Sequence, residues 1–432
     1  MTALPDWLSI LPADWEVKPF YCAFRERVQL NTGLKEARVL SLSYGRVVER
    51  DVESNSGLLP ESFEGYNIVE PDDVVMRLTD LQNDQRSLRT GRVTERGVIT
   101  SAYVTVVPGT DLSPRFAHYL LHGYDLAKVF YRMGGGLRQT MKFSDLKRMP
   151  VVVPPRTVQD RIANFLDEQT ARIDALIAEK ERLLKILKEQ QYSYSSALMT
   201  RGMNPSAAME KTSFPELGPV PTHWAVKRLK FLGEARSGIA KGKDFGDAET
   251  VSLPYLRVAN VQDGYVDLSE VLEIEVAASD VLRYLLRKGD VLMNEGGDND
   301  KLGRGTVWQG EIEPCVHQNH VFALRLFDSS LAEWVARFTS TDAARAYFFL
   351  RSKQSTNLAS INQSNVRELP VPMPPAGERE AILSELSRFA SASEELCEHA
   401  LAHIDRLREY RSSLISAAVT GKCGLDVLRP PA

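Results

Sequence analysis

The sequence predicts two mixed α/β, strand-rich globular domains, each followed by a long α-helix. The two helices are expected to pair as an antiparallel coiled coil with pseudo-twofold symmetry. Three observations predict this. The stretch Met141–Met203 (MKFSDLKRMPVVVPP, a long helical pattern, then SALMTRGM) returns at Ile361–Cys423 (INQSNVRELPVPMPP, a second helical pattern, then SAAVTGKC). Pro150, Pro154, Pro155, Ile162, Leu166, Leu176, Leu187 and Thr200 fall on Pro370, Pro374, Pro375, Ile382, Leu386, Leu396, Leu407 and Thr420 at one constant offset of 220 residues. A fixed offset without gaps marks a duplicated unit. The domain entrances repeat as well: LPADWEVKPF matches VPTHWAVKRL, with Pro12 on Pro221 and Trp15 on Trp224 at an offset of 209. Finally, apolar residues in both helical stretches recur every 3.5 residues, the signature of a coiled-coil seam.

This reading divides the chain into a first domain over 1–155, a spacer helix over 156–203, a second domain over 204–375 and a second spacer helix over 376–432. In the first domain, strand-like runs lie at Ala37–Leu42, Asp73–Leu78 and Val98–Val107. A helix is expected over Ser113–Tyr131, because Ser113 and Pro114 suit the cap and first-turn positions. The second domain carries strand-like runs at Leu253–Val261, Asp290–Met293, Gly305–Trp308 and His320–Leu326, and a helical pattern over Leu331–Leu350. Trp15 and Trp224 are expected to anchor the entry turns by burial.

In the first spacer the seam reads Ile162, Leu166, Gln169, Ile173, Leu176, Lys180, Leu183, Leu187, Gln190, Tyr194, Ala197. In the second it reads Ile382, Leu386, Phe389, Ser393, Leu396, Ala400, His403, Leu407, Tyr410, Leu414, Ala417. The paired prolines stop each helix from extending backwards, and Gly202 and Gly421 suit the far ends. About 40 residues of helix give a rod of roughly 60 Å.

Composition excludes several classes. The 432 residues are 43% hydrophobic and 25% charged, enough for sizeable cores in a soluble chain. A net charge of −4 does not advertise a nucleic-acid binder, although local basic patches can still bind one. Cys22, Cys315, Cys397 and Cys423 form no CxxC pair, which fits a reducing cytoplasm. The N-terminus lacks a basic region and a long apolar run, so no secretory signal is expected, and no stretch approaches the ~20 apolar residues of a membrane span.

No catalytic motif is found: no phosphate loop, no GxGxxG after a strand, no N-P-P-[FY], no HExxH and no GxSxG. Cys315, His317 and His320 lie close together but alternate like a strand, so no metal site is expected. Glu70, Asp72 and Asp73 (EPDD) read as an acidic surface turn. Loop chemistry suited to reading DNA does stand out. Candidate contacts in the first domain are Gln82, Asn83, Gln85, Arg86, Arg89, Arg92, Arg138 and Gln139. In the second they are Lys241, Lys243, Asn260, Gln262, Asn299, Lys301, Arg304, Lys353, Gln354, Thr356 and Asn357. Arg and Lys pair with guanine edges or phosphates, and Asn and Gln with adenine.

The segments RMPVVVPP…QDRIANFLDEQTARIDALIAEKERLLKILKEQ and LPVPMPPAGEREAILSEL…HIDRLREYRSSLISAAVTGK, with PYLRVANVQDGYVDLSEV, KGDVLMNEGGDNDKLGRG and CVHQNHVFALRL, give the chain its likeness to a known family. It resembles the specificity subunit of type I restriction–modification systems. One departure is visible. The family has Glu-Gln after the Pro–Pro turn, whereas this chain has Val158-Gln159 and Glu378-Arg379, one of the two residues in each copy.

The resemblance implies two target-recognition domains, each reading half of a bipartite, asymmetric DNA site. The helices would set the half-site spacing and dock methyltransferase subunits, usually two. The outer helix face, with the Val158-Gln159 turn, would be the docking platform. S-adenosylmethionine, ATP and magnesium would be used by the methyltransferase and the restriction/translocase subunits of a bacterial or archaeal cytoplasm. This chain itself would bind no cofactor and hold no catalytic residue. Two alternatives stand beside it: a non-catalytic coiled-coil scaffold whose heads bind proteins, and a nuclease built on scattered carboxylates such as Asp72 and Asp73. Salt-sensitive binding to a defined duplex separates the first from a DNA reader, since phosphate contacts release counterions.

Overall fold

The computed structural model describes residues 11–51, 62–81, 84, 87–132, 140–242, 246, 248–297, 302–354 and 359–423. The chain divides into two compact units: Met1–Glu181 with Ala400–Ala432, and Arg182–His399. Each long helix contributes to both units. Among the described residues no helix is long and apolar enough to cross a membrane.

In the first unit, Glu16–Pro19 pairs antiparallel with Pro150–Val153, Glu16 opposite Val153 and Pro19 opposite Pro150. A four-stranded antiparallel sheet follows in the order Phe24–Glu26, Val104–Pro108, Val74–Met76, Thr90–Arg92. The run Val98–Val107 forms two strands, Gly97–Ile99 and Val104–Pro108, parted by a turn in which Tyr103 N–H donates to Thr100 O at 3.1 Å. Helix α1 (Pro114–Leu126) starts with proline in its first turn, as expected. It stops short of Tyr131 because Lys128 adopts φ +57°, which no right-handed helix accommodates. Phe116, Ala117, Leu120, Leu121 and Tyr124 bury one face of α1 in the core, the 3.6-residue stripe of an amphipathic helix.

The second unit repeats this plan. Ala225–Arg228 pairs with Pro370–Met373, Ala225 opposite Met373 and Arg228 opposite Pro370. Shifted by 209 and 220 residues, this is the register of the first unit. Its four-stranded sheet runs Gly233–Ser237, Val321–Leu326, Val291–Asn294, Gly305–Val307: first, fourth, second and third in chain order, as in the first unit. Beside its four-stranded sheet the first unit has the hairpin Leu40–Ser43/Arg46–Glu49 and the pair Asn67–Val69/Gly97–Ile99, bridged in parallel from Val39 to Val98; the second has a three-stranded sheet of Leu272–Ala277, Thr250–Leu256 and Val316–His317, and a smaller one of Gly296–Gly297, Ala359–Ser360 and Lys353–Gln354. The helical pattern over Leu331–Leu350 divides into α3 (Ala332–Thr339) and α4 (Asp342–Arg351). Thr341 causes the break, its hydroxyl accepting from Ala344 N–H at 3.3 Å as the cap of α4.

The long helices are α2 (Arg156–Arg201) and α5 (Ala376–Val419). Ile162, Leu166 and Ile173 of α2 join the first unit's core beside Leu414, Ile415, Ala418 and Val419 of α5. There Arg411 donates to Asp174 at 2.9 Å and Arg408 to Glu181 at 3.1 Å, so the numbering ascends on one helix as it descends on the other. In the second unit, Ile382 and Leu386 of α5 and Leu198 and Met199 of α2 enter the core. The Tyr194 ring meets that of Phe389 tilted at 44°, centroids 4.5 Å apart, and its hydroxyl donates to Glu385 at 3.1 Å. The 220-residue offset carries Ile162 and Leu166 onto Ile382 and Leu386, and Leu198 and Met199 onto Ala418 and Val419. Equivalent positions thus do equivalent work. Gly202 (φ +76°) and Gly421 (φ +74°) end the helices against Trp224 and Trp15, where an added Cβ would lie 3.1 and 3.3 Å from the indole rings. Both tryptophans are buried.

The buried helix faces differ from the 3.5-residue reading in one respect. Leu176, Leu183 and Leu396 are 43%, 39% and 55% exposed, and Tyr410 is exposed too. One residue further along, Ile177 and Leu184 are half-buried, Ile404 is buried and Arg411 is half-buried. Thr170, in place of Gln169, is the inward residue after Leu166. Ile162, Leu166 and Thr170 make two successive four-residue steps, and a straight helix drifts about 20° per heptad against a strict 3.5 repeat. That rotation carries every second seam position one residue toward the C-terminus, in both helices. Ile162, Leu166, Ile173, Ile382, Leu386 and Leu414 are buried; Leu187, Tyr194, Phe389 and Leu407 are half-buried.

This register predicts opposite outcomes for neighbouring truncations. Ile404→Ala is expected to destabilise by about 2–5 kcal/mol, the range for buried aliphatic truncation. Leu396→Ala should stay within about 0.5 kcal/mol, as exposed sites do. Urea unfolding of the two variants measures the difference.

Candidate nucleic-acid interface

The first domain's candidates separate into two kinds. Arg89 has a fully buried side chain. Its guanidinium donates to Thr79 O at 2.7 Å, Arg77 O at 3.4 Å, Asp80 O at 3.3 Å and also to Asp84 O, while Nε donates to the Tyr131 hydroxyl at 3.3 Å. Its backbone N–H donates to Asp125 Oδ2 at 2.6 Å, and burial pushes the Asp125 carboxyl up to about 6. Arg89 therefore ties together Arg77, Thr79, Asp80 and Asp84 from within, and its donors are committed to the chain's own groups. Arg92 is half-exposed and donates to Asp72 at 2.9 Å. Gln82, Asn83, Gln85, Arg86, Arg138 and Gln139 lie outside the described residues.

The carboxylates of EPDD are held by arginines. Arg27 pairs with buried Asp73, which also caps the turn by accepting from Glu70 N–H at 2.8 Å. Burial is the main force on Asp73 and raises its pKa against the pull of Arg27. The second domain repeats the device: Asp290, before the strand Val291–Asn294, is buried and accepts from Arg325 at 2.6 and 2.8 Å. These acids brace the central strands from below.

The second domain gathers its candidates more tightly. Asn260 is buried and structural: its Oδ1 accepts from Arg257 N–H at 2.8 Å, and its amide donates to Asp267 O and Glu270 O at 2.8 and 2.9 Å. It folds the loop that presents Gln262. Gln262 donates to Ala259 O at 2.7 Å, and its Oε1 accepts from Arg304 at 3.1 Å. The structure thus joins Gln262 and Arg304, 42 residues apart, into one oriented pair. Lys353 and Gln354 are exposed on the strand that pairs with Ala359–Ser360, itself paired with Gly296–Gly297. The small sheet therefore sets Lys353 and Gln354 one strand away from Gly296–Gly297. Lys241 is exposed. Lys243, Asn299, Lys301, Thr356 and Asn357 lie outside the described residues.

Sequence reading passed over Arg345, whose guanidinium lies 4.4 Å from the Tyr192 ring and donates to Asp263 at 3.1 Å, beside the Gln262 loop. Its signal was hidden in a helical pattern. His320 is exposed, with its Nδ1 2.5 Å from Glu295 Oε2. His317 is buried, with its Nδ1–H directed at Val321 O at 2.7 Å, and burial lowers its pKa to about 4. Burial pushes the Cys315 thiol up to about 12. Among the described residues no three potential ligands cluster to hold a metal ion.

The turn after each Pro–Pro pair is tied inward. Gln159 is buried, its amide donating to Pro154 O and Asp111 O at 2.8 Å each while Oε1 accepts from Ser113 N–H at 2.7 Å. Glu378 accepts from Trp224 Nε1 at 3.0 Å and pairs with His223 at 2.8 Å. Val158 and Gln159 are thus buried in the first unit, and each copy keeps the residue that closes its own domain.

The strand-rich parts of the two units share one strand order in their four-stranded sheets, and a long helix follows each. Curated proteins similar to the chain are specificity subunits of type I restriction enzymes. It is 24% identical over 315 residues to the EcoKI specificity subunit of Escherichia coli (strain K12), covering 71% of this chain and 64% of that one. It is 22% identical over 325 residues to the StySPI specificity subunit of Salmonella potsdam, covering 73% and 66%. The alignments span just under two-thirds of the length of these two relatives. A solved chain from work on complex assembly and conformational transition of the type I R-M system shares the fold with a TM-score of 0.66 at 13% identity, over 96% of this chain and 100% of that one. No family model matches the chain.

Replacing Arg89 tests its part in the first domain. Arg89→Met removes the donors that Arg89 supplies to the carbonyls of Arg77, Thr79, Asp80 and Asp84 and is expected to cost about 3 kcal/mol or more, as loss of a buried charged partner does. Chemical denaturation measures it.

Proposed function

We propose that this chain is the DNA sequence-specificity subunit of a type I restriction–modification assembly. Residues 1–155 and 204–375 act as target-recognition domains, each reading half of a bipartite, asymmetric site. Residues 156–203 and 376–432 act as spacer helices that pair antiparallel about a pseudo-twofold axis and set the half-site spacing. The observation that carries this reading is the duplication: sheet order and entry-strand register repeat between the units while the loops differ. A repeated frame with unlike loops suits one target with two unlike halves.

The chain supplies recognition and no catalysis. Two methyltransferase subunits dock on it and methylate adenine with S-adenosylmethionine. Restriction/translocase subunits add ATP- and magnesium-dependent movement and cleavage. Leu176, Leu183 and Leu396, which the helix register leaves exposed, are apolar side chains available to a docked subunit. The Gln262–Arg304 pair supports base reading by the second domain, because an oriented guanidinium is the commonest reader of guanine.

Mapping methylated adenines in host DNA with and without this chain tests the reading. One bipartite sequence should lose its methylation when the chain is removed; an unchanged map would sink the proposal. Inserting four residues after Lys180 adds about 6 Å of helix and slips the seam. Loss of assembly or a changed spacing between methylated half-sites is expected, and unchanged recognition would show that the helices do not set the distance.

A further inference from the structure

The hairpin Leu40–Ser43/Arg46–Glu49 of the first unit turns through two residues, Tyr44 and Gly45, with Ser43 opposite Arg46. Both central residues have positive φ, +47° and +76°. A two-residue turn of this hand favours Asn-Gly, because an L-residue with a bulky side chain is strained there. Gly45 meets the demand. It has a second reason to be glycine, since an added Cβ would lie 3.1 Å from Leu88 and 3.3 Å from the His122 ring. Tyr44 does not meet the demand, and its side chain gives folding nothing in return, being 92% exposed.

The tip is nonetheless firmly seated. Arg46 donates to Asp174 of α2 at 2.6 Å, and Asp174 also accepts from Arg411 of α5 at 2.9 Å. Leu42 and Val47 pack over Gly91, where a Cβ would come within 2.6 Å of Leu42 Cδ1. The hairpin therefore lies on the strand Thr90–Arg92, which carries the candidate Arg92. A strained, exposed aromatic on a rigid mount is placed for a contact outside the chain. Arg46 beside it keeps a side chain 67% exposed even while paired, so the tip combines a ring with a guanidinium. A two-stranded ribbon is of a size the DNA major groove admits, and an aromatic ring meets thymine methyls and base faces.

We propose that Tyr44 is a DNA-contacting, specificity-determining residue, carried by this hairpin into the groove of the half-site that the first domain reads. The inference rests on the specificity reading above. Its test uses the full chain assembled with its methyltransferase subunits, and duplexes bearing the bipartite sequence the assembly methylates. Tyr44→Asn creates the favoured Asn-Gly turn, so the melting temperature should rise by about 2 °C or more. Cognate affinity should nevertheless fall roughly tenfold. Tyr44→Phe, which keeps the ring, should stay within about twofold of the parent. With each half-site scrambled in turn, the Asn penalty should vanish for one half-site alone.

Unchanged cognate affinity in the Asn variant would overturn the proposal. So would a lowered melting temperature, which would make the ring a folding element. A penalty equal on all duplexes, or loss of methyltransferase subunits from the purified complex, would overturn it in favour of a phosphate or protein contact. If the parent assembly itself shows no preference for either half-site, the specificity reading fails and this proposal with it, a result distinct from all the others.

Discussion

Each unit's core closes on the end of a helix that begins in the other half of the sequence. Leu414, Ile415, Ala418 and Val419, near the end of α5, lie among the first domain's buried residues, with Val419 packed where Gly123 leaves α1 without a side chain. Leu198 and Met199, near the end of α2, do the same for the second domain. A helix with one apolar stripe must bury it, and here the stripe has two customers in succession: its own domain at the start and the other copy's domain at the end. This mutual closure explains why the Trp15 and Trp224 entrances sit against Gly421 and Gly202, and why bulk is excluded at those glycines.

Electrostatics follow the same economy. Asp73 and Asp290 are nearly inaccessible and each is paired with one arginine at the start of a central strand. A buried carboxylate without a partner would be costly; with Arg27 or Arg325 it becomes a brace that fixes how the strand enters the sheet. Arg89 works the same way on carbonyls. Candidate residues chosen for their chemistry thus include some spent on architecture, while others, such as Gln262 with Arg304, are oriented by it.

The division between frame and loops gives the chain its functional logic. The four-stranded sheets, the entry-strand pairs and the helix ends are alike in the two units. Beside these, the first unit carries the Leu40–Ser43/Arg46–Glu49 hairpin and the Asn67–Val69/Gly97–Ile99 pair, and the second the Leu272–Ala277 sheet and the small Gly296–Gly297 sheet. The two units differ in what the frame carries, while the long helices and the central sheets are common to both.

The duplication, the positions of the long helices, most central strands and the absence of familiar catalytic motifs were legible in the sequence, because periodicity, proline stops and a constant offset are local or self-referential signals. The inward helix face was legible only to within one residue: seam apolar residues stand beside others, as Leu176 beside Ile177 and Leu183 beside Leu184, and packing against the domain cores chose between them. The split of Leu331–Leu350 turned on one threonine cap, a choice that helical periodicity does not register. The fates of Arg89, Asn260 and Gln159 were settled by tertiary structure alone. Their hydrogen-bonding capacity is the same in a loop facing water as in a buried turn, and only the folded chain decides whether it is spent on the protein's own backbone or kept for a partner.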